Sequence, residues 1–134
     1  MKYEKLLKDF ELNDPISDYL ISEFERVEGL RLPRSFRDFL KVGNGGEGAV
    51  GEFGYANFWR LEDIAGLNRD YKVQQYLPGY LVIGSDGGGE AFAFKRDSQK
   101  EYYVQVPFVG LSEEDCMYMG NSFEELLSKL SCEQ

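Results

Sequence analysis

Apolar residues recur along the chain with two periods, one near a helical turn and one alternating, and the switch between them outlines the elements. Ile16, Leu20, Phe24 and Val27 fall on one helical face after Asn13-Asp14-Pro15. Asp14 suits the cap of that helix, Pro15 its first position, and Gly29 its stop. The residues before Asn13 read as a shorter helix or a turn. Leu32-Pro33 opens a second helix with the stripe Phe36, Phe39 and Leu40, ended by Gly43. Residues 43–48, with Asn44-Gly45-Gly46, read as a loop, because glycine loses the most backbone freedom on ordering. Val50 to Phe53 and Tyr55 to Trp59 read as short strands around Gly54. Leu61, Ile64, Leu67 and Tyr71 have helical spacing, closed by Leu77-Pro78-Gly79.

Three strands are predicted next: Tyr80 to Gly84, Ala91 to Phe94 and Tyr102 to Val106. Gly87-Gly88-Gly89 and Asp97-Ser98-Gln99 are the turns between them, which implies an antiparallel meander. Ser122 and Glu125 form a capping box, and Phe123, Leu126, Leu127 and Leu130 continue it as an amphipathic helix. This order predicts an α+β fold: one mixed, mostly antiparallel sheet with helices packed on one face. With 134 residues and no internal repeat or linker, the chain is expected to be one domain, 1–134.

Composition changes this picture in three ways. A hydrophobic share of 43%, with 10 Phe and 9 Tyr, supplies material for a sizeable core. A net charge of −9 disfavours direct nucleic-acid binding, which depends on Lys and Arg neutralising phosphates, and favours a basic partner. Histidine is absent, which removes the commonest general base and metal ligand and every Ser-His-Asp or Cys-His arrangement. No catalytic residue, metal or cofactor is expected, and an enzyme is not. No apolar stretch approaches the length of a membrane span, and MKYEKLLKDF lacks the apolar region of a signal peptide, so a cytoplasmic location away from membranes is expected. Cys116 and Cys132 have no metal spacing and read as free thiols.

Candidate chemistry is sparse. Gly84-Ser85-Asp86-Gly87-Gly88-Gly89-Glu90 is not a phosphate loop: no Lys-Ser/Thr follows, a strand follows it, and Asp86 and Glu90 would repel phosphate. It reads as a glycine-rich hairpin that needs positive φ angles. A calcium site or a carboxylate-based hydrolase on Asp86 and Glu90 are the weaker readings. Trp59, between a strand and a helix, reads as a packing residue or the wall of a cleft. Ser112-Glu113-Glu114-Asp115 reads as a solvated loop or as a contact for Lys and Arg on a partner. Tyr55, Trp59 and Tyr118 are the candidate anchors for a protein partner, and Glu52, Asp86, Glu90, Glu113 and Glu114 its candidate charge contacts.

Four segments, in order, resemble the SUKH superfamily and its Smi/Knr-like branch. They are Leu32-Pro33 with Phe36, Phe39-Leu40 and Asn44-Gly45-Gly46; Trp59-Arg60-Leu61-Glu62-Asp63-Ile64; Ile83 to Glu90 with Phe92 and Phe94; and Ser122-Phe123-Glu124-Glu125-Leu126-Leu127. The resemblance covers roughly residues 14–130 and implies the same α+β fold. It also implies binding and not catalysis. Many bacterial members are immunity proteins that neutralise a cognate toxin, often a nuclease, whereas others are regulatory or scaffold modules in signalling. The expected partner is therefore a cognate toxin, a basic nuclease domain, with the regulatory interaction module as the alternative.

Overall fold

The computed structural model describes residues 3–132. Its elements are β1 (Phe10–Leu12), α1 (Asp18–Glu28), α2 (Arg34–Leu40), β2 (Gly46–Val50), β3 (Gly54–Phe58), α3 (Leu61–Asp70), α4 (Val73–Tyr76), β4 (Tyr80–Ser85), β5 (Glu90–Lys95), β6 (Tyr103–Pro107), β7 (Met117–Gly120) and α5 (Phe123–Ser131). A short 3-10 turn spans Glu113–Asp115. The seven strands form one sheet in sequence order, β1 to β7, and every pairing is antiparallel. This is the α+β meander the patterning predicts.

One face of the sheet carries the larger core. Phe58, Phe92, Phe94 and Tyr103 of the strands meet Ile21 of α1, Phe36 and Phe39 of α2, Ile64 of α3, and Phe123 and Leu126 of α5. Phe123 sits at its centre, with its ring 4.4 Å from that of Phe39, 5.0 Å from Phe58 and 5.6 Å from Phe36. The other face is buried over β4 to β6, where Val82, Ala93, Val104 and Val106 lie under Val73, Leu77 and Leu111. Over β1 to β3 that second face is open: Glu11 and Glu47 are exposed and Asn57 is only half-buried.

Several boundaries differ from the sequence reading. The cap of α1 is Ser17, whose hydroxyl accepts from the Leu20 N–H at 3.3 Å, so Asp14-Pro15 lies outside the helix, ahead of its first turn. Asp14 is occupied instead in fixing the next loop, its carbonyl accepting from the Asn44 N–H. Residues 46–50, read as loop, form β2, and Gly51 to Phe53 form the turn that follows. Gly46 has φ +148°, a backbone that L side chains rarely adopt, and a Cβ there would overlap the Glu11 carbonyl and the Leu12 backbone, so the glycine permits the close approach of β1. The segment before Asn13, read as a shorter helix or a turn, is turn over residues 3–9 but ends in the strand β1, and β7 carries no pattern that predicts it. The capping box of α5 reaches one residue further back than usual: Ser122 Oγ accepts from the Glu125 N–H at 3.0 Å, while Glu125 accepts from the Asn121 N–H at 2.6 Å.

Two side chains substitute for missing backbone partners. β3 pairs with β4 only at Asn57–Ser85 and Phe58–Gly84. Beyond that point buried Asn68 of α3 takes its place, donating to the Val82 carbonyl at 2.8 Å and accepting the Val82 N–H at 2.8 Å. The Gln74 amide similarly donates to the Tyr80 carbonyl at 2.8 Å. At the other end of the larger core, the Glu101 carboxylate accepts from the Ser35 hydroxyl (2.5 Å), the Ser35 N–H (3.3 Å) and the Tyr103 hydroxyl (2.7 Å). The Phe123 N–H donates to Ser35 Oγ at 2.7 Å, so one carboxylate cluster joins the starts of α2, β6 and α5.

Candidate partner-binding surface

The Asn44 side chain organises the junction from which the open face is built. Its Oδ1 accepts from the Leu61 N–H at 2.8 Å and its amide donates to Glu62 at 2.7 Å. A loop residue 17 positions upstream thus caps α3, whose own N-cap, Arg60, makes no side-chain cap. The Glu62 carboxyl lies below its ordinary range, first through its own backbone N–H and next through the Asn44 amide. Trp59 is fixed at the same point by its backbone N–H, which donates to the Ile83 carbonyl at 2.9 Å. Its ring stacks parallel to Tyr71 at 6.2 Å, and Tyr71 in turn meets Phe108 at 4.6 Å.

Of these three rings Trp59 lines a cleft of about 420 Å³ on the open face. Glu11, Glu47 and Asn57 form its floor, and Arg60, Asp63 and Leu67 its rim. Glu11 stands directly opposite Glu47 in the β1–β2 register, and Glu47 opposite Asn57 across β2–β3. Neither glutamate forms an ion pair among the described residues. Like charges placed opposite on neighbouring strands destabilise a sheet, so this pair adds nothing to folding. The Tyr55 hydroxyl donates to Glu47 at 2.9 Å, which pushes the Tyr55 phenol up and leaves the ring 45% exposed beside the cleft.

The candidate residues separate into two groups. Tyr55 lies against Gly87 of the β4–β5 turn, which brings it beside Asp86. Glu52 projects from the β2–β3 turn at the same end of the sheet. Asp86 is partly occupied in the turn itself: its Oδ1 accepts from the Gly88 and Glu90 N–H groups at 2.7 and 3.0 Å. Gly87 and Gly89 have the positive φ angles expected of a glycine-rich hairpin. Glu90 shares the Phe92 face and accepts from Gln105 at 3.3 Å, so it points away from Tyr55. Glu113, Glu114 and Tyr118 form the second group, near Tyr80, Cys116 and Tyr102. The Tyr118 ring lies 5.2 Å from Tyr102 and its hydroxyl bonds Asn121. Burial first, then Cys116 and Glu113, push the Tyr80 phenol up to about 12.

Of the candidate residues only Trp59 lines the cleft. The sequence reading missed Glu11, Glu47, Asn57 and Asp63, which come together only through strand register. The hint available in the sequence was Glu47 between Gly46 and Gly48, a charged residue in a glycine run that reads as a loop until β1 pairs with it. Cys116 is half-buried and Cys132 exposed, and both are free. No group of three or more His, Cys, Asp or Glu side chains able to hold a metal occurs among the described residues. No helix among them is long and apolar enough to cross a membrane.

Comparison with known proteins agrees with the architecture. No curated protein matches the chain. A sequence model of the SMI1 / KNR4 family (SUKH-1) matches residues 15–129. That span runs from the segment ahead of α1 to the last turn of α5 and includes the Asn44 cap, the Trp59 junction and the glycine-rich hairpin; the chain belongs to the SMI1 / KNR4 family (SUKH-1).

Proposed function

We propose that this chain is a non-catalytic immunity protein that binds a cognate protein toxin, a nuclease with a basic substrate groove, and blocks that groove. Membership of a family whose members are often immunity proteins supports the reading, as does the net charge of −9. The observation that carries it is the Glu11–Glu47 pair on the open face, set against the Trp59 wall and the exposed Tyr55 ring. A cationic group of a partner placed between the two carboxylates relieves a repulsion that folding leaves in place. The aromatic side chains supply the desolvated anchors that rim charges cannot. A nuclease must present cations where it grips phosphate, so an inhibitor with this surface competes for the same groove.

The deciding measurement is protection. Cells that express a toxin encoded beside this gene should survive only when the chain is co-expressed. The purified pair should form a stoichiometric complex that Tyr55→Ala and Trp59→Ala weaken. No protection against any adjacent toxin, together with a non-toxin partner recovered from the native cell, overturns the reading in favour of a regulatory module.

A further inference from the structure

Away from the acidic cleft, cations of this acidic chain gather around the start of α2, the β5–β6 turn and the last turn of α3. A cleft of about 570 Å³ between the start of α2 and the β5–β6 turn is lined by Arg31, Arg34, Lys95 and Lys100. A second cleft, of about 310 Å³, lies beside it and holds Arg69, Lys72 and Arg96. The two adjoin: Arg31 and Lys95 line the first, and their chain neighbours Leu30 and Arg96 line the second. Seven of the chain's 15 lysines and arginines thus meet three carboxylates, Glu28, Asp97 and Glu101. None of the seven forms an ion pair among the described residues, although Arg26, Arg37 and Lys41 elsewhere do. Glu101 is occupied by Ser35 and Tyr103.

The backbone adds an independent sign. Among the described residues, two that are not glycine have a left-handed backbone, Lys72 and Asp97, both with φ 57°. Each lies in this strip, and Lys72 has neither the short polar side chain nor the missing Cβ that makes the conformation easy. Such backbone is retained where surrounding structure imposes it, and it gathers at binding sites.

We propose that this strip is a second interaction surface, one that holds an extended acidic polypeptide segment with apolar residues between its carboxylates. The two clefts have apolar floors, Leu32 and Pro33 in one and Leu30 and Leu81 in the other, which accept side chains. Guanidinium groups of Arg31, Arg34, Arg69 and Arg96 match carboxylates in a bidentate fork. A nucleic-acid backbone fits less well. Asp97 and Glu28 interrupt the strip where a continuous row of phosphates would have to run. The surface is separate from the toxin-facing cleft, so either assignment can fail alone.

The test uses the intact chain and a fluorescein-labelled peptide of repeated Asp-Glu-Leu, read by fluorescence anisotropy at low salt. Saturable binding is expected that weakens as salt is added. The exposed variant Arg31→Gln/Arg34→Gln/Lys95→Gln/Lys100→Gln should bind about tenfold or more weakly, the sum expected of four exposed charge pairs. Its melting temperature establishes that it is folded. Arg26→Gln/Lys41→Gln, with cations outside the strip, and Glu47→Gln, in the other cleft, should bind as the parent does. Absence of saturable binding, equal loss in the Arg26/Lys41 control, tighter binding of oligo-dT than of the peptide, or self-association abolished by the four substitutions would each overturn the proposal.

Discussion

Asn44 shows how much a single buried polar side chain can hold. Its loop is tied to α1's approach by the Asp14 carbonyl, to α3 by the Leu61 N–H, and to Glu62 by its own amide. Gly45 beside it has φ +74°, and a Cβ there would overlap the Phe58 carbonyl, so the Asn-Gly pair is needed as a unit. Asn44→Ala leaves the Leu61 N–H buried without a partner. It should lower stability by about 1–3 kcal/mol, read as a shift in the urea midpoint at unchanged slope. A second residue-scale expectation concerns Tyr80. Its phenol ionises at about 12 in the folded protein against 10.0 for an unperturbed tyrosine, because burial disfavours the phenolate. The raised value means its contribution to stability is complete below pH 10.0 and is lost as pH rises toward about 12. Tyr80→Phe should therefore unfold at higher pH than the parent in an alkaline titration followed by circular dichroism. An unchanged alkaline limb would remove this account.

Elements in this protein are completed by one another. β4 has β3 along only half its edge, and Asn68 of α3 supplies the remaining donor and acceptor. The same amide also donates to the Ile64 carbonyl of its own helix at 2.7 Å. Asn68→Ala should leave both polar groups of Val82 unpaired in a buried position and cost about 2 kcal/mol or more. The more specific readout is hydrogen exchange: the Val82 amide should lose protection by more than the global loss of stability explains. β2 depends on its neighbours even more strongly. Its glycines have no intrinsic strand preference, and it becomes a strand because β1 and β3 flank it. α5, by contrast, carries its own cap and its own apolar stripe, and it forms where the sequence predicts.

For the whole molecule the notable property is the division of charge between separate clefts. A net charge of −9 suggests a uniformly acidic particle, yet Glu11, Glu47 and Asp63 line one cleft while seven cations line a pair of clefts elsewhere. A toxin with a basic groove would then be steered toward the acidic cleft. Glu47→Gln/Glu52→Gln should slow its association and reduce the salt dependence of the rate, while leaving dissociation nearly unchanged. Tyr55→Ala should do the opposite and speed dissociation, because an anchor acts after encounter. Stopped-flow mixing with the purified toxin domain separates the two. Equal effects of both variants on the same rate constant would show that the open face does not work in this way.

The sequence by itself determined the local pieces: the amphipathic stripes of α2, α3 and α5, the β4–β6 strands, the glycine-rich turn, and the absence of histidine chemistry. Each of these depends on residues within a few positions of one another, which is the range over which propensity, capping and periodicity act. The family resemblance was also legible, because its motifs are such local pieces in order. Only the tertiary structure decided that Asn44 caps α3, that Asn68 completes β4, and that β1 and β2 are strands at all. It alone placed Glu11 opposite Glu47, turned Glu90 away from Tyr55, and moved Glu113, Glu114 and Tyr118 to a different part of the surface. The reason is that strand register fixes which face a side chain takes and which distant charge it meets, and register is set by the joint burial of both cores rather than by any one segment.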